Sequence, residues 1–371
     1  MKLGISLSGG GVRALVFHLG VLKRLAESKH WDSIEHLSTV SGGSLCVAMI
    51  FAKNGGKWPS ADQFLNTVLS AAREQLTTQS LVWASVRAGF IRPFRLLNGR
   101  AHLVAHVLAT KWGVTMSLQD LPERPRWTIN CTTYETGKNW RFSHKRMGDY
   151  LTGHVRNPDF PVADAAAASA GFPGGIGPRK LKTSEYKWED YKKGSQSETE
   201  TIEPRHGQYH LWDGGVYENL GSEALLKPGK GLRDDINFYI GSDAGKSISR
   251  ETRRGLFRPA IRLLDCAMDQ VRAVRARTIH GFLRGEINSH PIGIYVRMGI
   301  SRENIYRQFA PTATCPTTGP CNLRPEHAEF AAKFPTTLRR LKNEEFDLLL
   351  NHGYEVTDAT MTTWVPGIFD L

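Results

Sequence analysis

Three short stretches of this 371-residue chain carry residue types that could do chemistry together. The first is Thr39-Val40-Ser41-Gly42-Gly43, between an apolar run ending in β-branched residues and a run rich in Leu, Val, Ala, Met and Ile. Two glycines permit a sharp strand-to-helix turn that lifts the Ser41 hydroxyl out of the sheet. That is the pattern of a nucleophile elbow, G-x-S-x-G, with Thr39 in the place of the first glycine. The second stretch is Gly9-Gly10-Gly11-Val12-Arg13, which follows one strand-like segment and opens a helical one. Glycine turns at a helix start leave amides free where the dipole favours negative charge, which suits a phosphate or an oxyanion. A dinucleotide site would carry a third glycine where Ala14 stands, and the Gly-Lys-Ser/Thr of a P-loop is absent. The third is Asp213-Gly214-Gly215, which alone reads equally well as a hairpin turn.

The elements that must position these residues are legible as periodicities. Lys2 to Ser8 and Ile34 to Val40 read as strands. Between them Leu15, Leu19, Leu22 and Leu25 make one apolar helical face, a βαβ opening that predicts a parallel sheet covered by helices. Further strands are expected at Arg126 to Tyr134, Ile236 to Gly241 and Ile292 to Met298. Helices are expected at Ala163 to Ala170, Leu256 to Asn288 and within Glu326 to Gly353. A helical insertion is expected at about 57–115 and an exposed polar loop at about 180–208. No repeat or linker divides the chain, so 1–371 reads as one domain.

Composition sets the outer limits. Hydrophobic content is 40% and charged content 23%, ordinary for a globular protein. Lys and Arg exceed Asp and Glu by 48 to 36, a net charge of +12 that calls for an anionic surface. Zinc-finger, aromatic RNA-binding and long Lys/Arg patterns are lacking, so acidic lipid is expected rather than nucleic acid. The start of the chain has no apolar leader and no run is long enough to cross a bilayer, which predicts a cytoplasmic protein in peripheral contact with membrane. Five cysteines, Cys46, Cys131, Cys266, Cys315 and Cys321, read as free thiols, with Cys315 and Cys321 the one pair near enough for a disulfide or zinc.

The order strand–GGGxR–helix, strand–Ser–helix, then Asp-Gly-Gly resembles the patatin-like phospholipase family. Ala165 to Phe172 before Pro173 is similar to that family's alanine/serine-rich helix. Asp213-Gly214-Gly215-Val216 with Glu218-Asn219 is similar to its DGG-V-x-N-N segment. Ser242-Asp243-Ala244, Pro335-Thr336-Thr337-Leu338 and Asn351-His352-Gly353-Tyr354 resemble pieces of bacterial members. The resemblance implies a three-layer α/β/α fold with a central, mainly parallel sheet, and a phospholipase A-type lipid acyl hydrolase working through a Ser41–Asp213 dyad. Gly9, Gly10 and Gly11 would form the oxyanion hole with Arg13 as supporting charge. Gly42, Gly43, Gly214 and Gly215 would shape the elbow and the acid loop. No metal or cofactor is implied. The insertions leave room for a small-molecule or nucleotide activator, because some bacterial members are switched by such a signal.

Two other readings use the same residues. In one, the glycine loop binds a nucleotide or phosphate in a regulatory module and Ser41 is structural. In the other, a histidine completes a Ser-His-Asp esterase, and His280, His290, His327 and His352 all follow the acid in the chain. His18 falls near the apolar face of the first helix and reads as packing. The long Arg-studded segment from Leu256 reads as a core-packed helix with a solvated face, or as one lying on an anionic membrane.

Overall fold

The computed structural model describes residues 1–81, 84–85, 100–173, 175–192, 197–227, 229–246, 258–283, 291–316, 320–321 and 323–369. Its first strands follow the apolar runs: β1 (Leu3–Leu7) and β2 (Ile34–Val40), joined through helix α1 (Gly11–Ala26), with helix α2 (Gly42–Lys53) after β2. Next come β3 (Arg126–Thr133), then the short strands β4 (Asn139–Phe142), β5 (Arg146–Asp149) and β6 (Gly153–Arg156). They are followed by β7 (Arg179–Lys182), β8 (Trp188–Tyr191), β9 (Thr199–Ile202) and β10 (Gln208–Asp213). A two-stranded ribbon, β11 (Leu226–Lys227) and β12 (Gly231–Leu232), precedes β13 (Phe238–Asp243) and β14 (Gly293–Arg297).

The main sheet runs β14-β13-β1-β2-β3-β4-β5-β6-β8-β9. Its first five strands are parallel and the remainder antiparallel. Alternation along the parallel strands divides the core between two faces. Phe238, Ile240, Ile294 and Val296 enter a large core with α1, α2 and the helix Asn343–Trp364. Tyr239 and Tyr295 point the other way, onto Ile279 and Leu283 of the helix Arg258–Leu283. The expected three layers are therefore present.

One antiparallel strand decides where the chemistry can happen. β2 ends with Val40 opposite Asn130 of β3. β10 arrives from the opposite direction, pairing Leu211 with Thr133 and ending with Asp213 opposite Cys131. The two strands share one edge of β3 and meet end to end, so the turns after Val40 and at Asp213 face each other.

The region expected to be a polar loop, about 180–208, instead contains β7, β8 and β9. Buried Trp188 explains the difference. It packs edge-on to Trp140 and Tyr209, 5.9 and 5.6 Å between ring centres, which gives a polar segment the apolar anchor it needs to join a sheet. The helical pattern from residue 57 is met by helices at Leu69–Thr78 and Arg100–Val107, with a stretch between them outside the described residues. The helix expected at Leu256 to Asn288 spans Arg258–Leu283. All five cysteines are free, Cys315 and Cys321 included.

Candidate active site

Ser41 holds φ 49° and ψ −113°, in a region that non-glycine residues rarely occupy. Such strain persists only where surroundings over-determine it, and here they do. The Ser41 amide donates to the Ser169 hydroxyl at 2.9 Å, and Ser169 donates to the Asn130 carbonyl at 2.7 Å. Ser44 and Ser169 pair at 2.9 Å, Thr39 and Ser44 at 2.8 Å, and the Trp127 indole donates to the Thr39 hydroxyl at 2.9 Å. Asn130 Nδ2 donates to the Thr39 carbonyl and the Ser38 hydroxyl, both at 3.0 Å.

Thr39 is thus the hub of a buried hydroxyl chain and not an oversized stand-in for glycine. Close approach is needed one step later. A Cβ at Gly42 would strike the Gly11 carbonyl, and one at Gly43 the Leu7 carbonyl.

Asp213 is buried at the end of β10, with the Ser41 side chain near enough to oppose the rise in its pKa. Its Oδ1 accepts the Gly215 amide at 2.7 Å. Burial pushes its pKa up to about 7, against the opposing pull of the Gly215 amide and of Ser41. The acid loop is fixed by its backbone: Asp213 N–H to Gly171 O at 3.0 Å, Gly214 N–H to Ser169 O at 3.3 Å, and Thr132 Oγ1 to Asp213 O at 2.8 Å. Gly214 and Gly215 have no room for a Cβ beside Asn130 and Asn219.

The glycine loop is built differently from the expectation at two positions. The Gly9 amide already donates to the Asn219 carbonyl at 3.0 Å, which removes it from the set of free donors. Gly10 and Gly11, at φ 146° and 64°, have no amide partner among the described residues. Gly11 lies against Gly42 of the elbow, and Gly9 against the Ser41 Cβ position. Arg13 is fully buried and committed: Nη1 donates to Phe334 O at 3.0 Å and Nη2 to Ala244 O at 2.7 Å. Burial lowers its pKa to about 10. It ties the loop to the segments after β13 and before the last helix, a structural bond in place of the expected supporting charge.

The histidines stand apart from this pair. His18 Nε2 bonds the Ser8 carbonyl at 2.9 Å and so carries the proton, leaving Nδ1 to accept from Ser242 at 2.8 Å. Burial holds its pKa near 4. His352 Nε2 accepts the Gly299 amide and His327 Nδ1 the Arg324 amide. His280 packs against Tyr295, and His290 lies outside the described residues. Sequence reading missed Ser169; a lone hydroxyl in the run Ala165-Ala166-Ala167-Ala168-Ser169-Ala170 was the available signal.

Comparison with known proteins follows the same lines. The profile described as patatin-like phospholipase matches residues 5–226, from β1 through the acid loop. No curated protein matches the sequence. Among solved structures, human GIVD cytosolic phospholipase A2 superposes with a TM-score of 0.56 at 16% identity, covering 98% of this chain and 60% of that one. The same enzyme in complex with methyl gamma-linolenyl fluorophosphonate gives 0.54 at 15% identity, covering 98% and 59%. VipD from Legionella pneumophila gives 0.39 at 12%, covering 97% and 67%. The chain spans about 60% of the length of the human enzyme's chain, and the likeness there is one of fold. With the family profile covering the glycine loop, the elbow and the acid loop together, the chain belongs to the patatin-like phospholipase family.

Proposed function

We propose that this protein is a serine lipid acyl hydrolase of phospholipase A type, acting on carboxylic esters of membrane phospholipids with Ser41 as nucleophile and Asp213 as base. The observation that carries the reading is the meeting, at one edge of β3, of the strained Ser41 with a buried carboxylate whose pKa is raised to about 7. A carboxylate in water is a poor base, and desolvation brings Asp213 to a basicity useful near neutral pH. Ser41 Oγ attacks the ester carbonyl carbon while its proton passes to Asp213. The oxyanion forms beside Gly10 and Gly11, whose amides are the available donors. Collapse breaks the bond to the lysolipid oxygen, which leaves with the proton from Asp213. Water then attacks the acyl-Ser41, giving a proton to Asp213 and releasing fatty acid as that proton returns to Ser41. The chemistry requires no metal.

The Ser-His-Asp alternative has no support among the described residues, because no histidine there bonds Ser41 or Asp213. The nucleotide-module reading loses its rationale too, since Ser41 would then be strained for no purpose. Site of action follows from substrate: peripheral contact with membrane on the cytoplasmic side, where acidic lipid is concentrated. Among the described residues, no helix is long and apolar enough to cross a membrane. The test is covalent labelling with a fluorophosphonate. Label should appear on Ser41, vanish in Ser41→Ala, and track release of fatty acid and lysolipid from phospholipid vesicles. A folded protein that releases neither product and takes no label defeats the proposal.

A further inference from the structure

Two turns project from the same edge of the sheet as Ser41 and Asp213. β3 continues past Cys131, which faces Asp213, to Thr133, and the turn that follows carries Tyr134. β4 and β5 run antiparallel in sequence, so the turn after Asp149, carrying Tyr150 and Leu151, emerges at that edge as well. Tyr134 is 73% exposed, Tyr150 70% and Leu151 58%. Elsewhere in this protein large apolar side chains are mostly buried, so three such residues on adjoining turns are unusual.

Both turns are rigidly built. Asp149 is itself buried, and its carboxylate joins them: Oδ2 accepts from Thr133 and Thr136 of the first turn, each at 2.7 Å. Oδ1 accepts the Leu151 and Thr152 amides at 2.8 and 2.9 Å. Polar needs are thus met inside the turns while the two tyrosines and the leucine face outward. Lys138 lies 5.5 Å from the Tyr150 ring centre and adds a positive charge to the same surface.

We propose that Tyr134, Tyr150, Leu151 and Lys138 form the surface through which the protein docks on a bilayer containing acidic phospholipid. The inference rests on the lipid-hydrolase reading above. Tyrosine and leucine beside lysine are the composition that settles at the headgroup level, with rings at the interface and the ammonium among phosphates. The net charge of +12 supplies the long-range attraction. Height fits as well. Three residues separate Cys131 from Tyr134, so that tip stands about 10 Å beyond Asp213 at ~3.3 Å per residue, while the register sets the Tyr150 turn just beyond the level of Cys131. A glycerophospholipid raised by that distance brings its ester bonds to Ser41 with most of its acyl chain still near the membrane. A second copy of the chain is a poorer occupant, since three side chains offer far less than the roughly 800 Å² per partner of a stable interface.

The helix Arg258–Leu283 offers a competing surface. It is inverted: Arg272 faces inward to Asp243 at 2.8 Å, while Leu263 and Val274 are 70% and 52% exposed. It is the crossover between β13 and β14 and packs on the sheet through Ile279 and Leu283. Arg272, however, meets Asp243 at the active end of β13 and Met268 lies beside Gly215, so the part carrying Leu263 runs on past that end, and the variants below separate the two surfaces.

The experiment compares the native protein, Tyr134→Ser/Tyr150→Ser/Leu151→Ser and Leu263→Ser/Val274→Ser. Each is assayed by flotation with vesicles of phosphatidylcholine and phosphatidylglycerol, and by hydrolysis of a water-dissolved short-chain ester. The tip variant should partition at least tenfold more weakly and lose vesicle hydrolysis in proportion, while keeping ester turnover. Native binding should fall as salt rises, because screening shortens to about 8 Å at physiological ionic strength. Unchanged partition of the tip variant, or a loss confined to the helix variant, overturns the inference. Ester turnover absent from the native protein would instead overturn the hydrolase reading, and flotation still judges the tips in that case.

Discussion

At the scale of residues, Asp213 carries opposite demands from stability and from chemistry. Its folded pKa of about 7 lies above the ~3.9 of an unfolded aspartate. Folding therefore binds a proton, and the native state loses stability as pH rises from about 4 through about 7. Three units at 1.36 kcal/mol each set a ceiling of about 4 kcal/mol. Asp213→Asn keeps the shape and can still accept the Gly215 amide, so it should melt higher than the native protein at pH 8. The two should converge toward pH 4, as read by denaturant unfolding at each pH. The same variant should lose activity about as completely as Ser41→Ala, and the double variant should be scarcely worse, because the pair acts as a unit. Native kcat/KM on a dissolved ester should climb with pH through about 7 and level off, since only the ionised carboxylate takes the serine proton. A flat profile from pH 5 to 8, or an Asp213→Asn protein less stable than native at pH 8, would remove Asp213 from this role.

At the scale of elements, the elbow shows what a motif can and cannot say. Ser41, its two following glycines and the strand before them are legible because each has a local signature: β-branched run, serine, paired glycines. The role of Thr39 is not local. It depends on Trp127 and Ser44, and through them on Ser169, none of which the motif mentions. Restoring the motif with Thr39→Gly should therefore weaken the protein. It strips partners from a buried indole and a buried hydroxyl, at about 1–3 kcal/mol for each group left unsatisfied. Ser169→Ala should cost a similar amount and also lower kcat, because it releases the amide that holds Ser41 at positive φ. Thermal unfolding and single-turnover labelling would measure the two effects, and a Thr39→Gly protein as stable as native would contradict the hydroxyl-chain account. Arg13 and Gly9 mark the same limit. Their types suited an oxyanion site, but their partners Phe334, Ala244 and Asn219 come from distant parts of the chain. The β-arm from 179 to 202 escaped notice because its strands are short and polar and are held by one buried tryptophan.

At the scale of the whole molecule, the parallel half of the sheet could be read from alternating apolar runs and glycine turns. The arrival of β10 could not. Nothing in Gln208 to Asp213 says that it runs against β3 or shares an edge with β2. That shared edge has a consequence in time. The nucleophile's turn is completed by neighbours as far along the chain as Ser169, and its base is delivered later still, by a strand that finds the last free stretch of β3. Contacts of such long sequence separation close late, because loop-closure entropy is lost before they form. Refolding protein should thus recover most of its helical ellipticity before it can be labelled at Ser41, and the lag between the two signals should be the docking of β10.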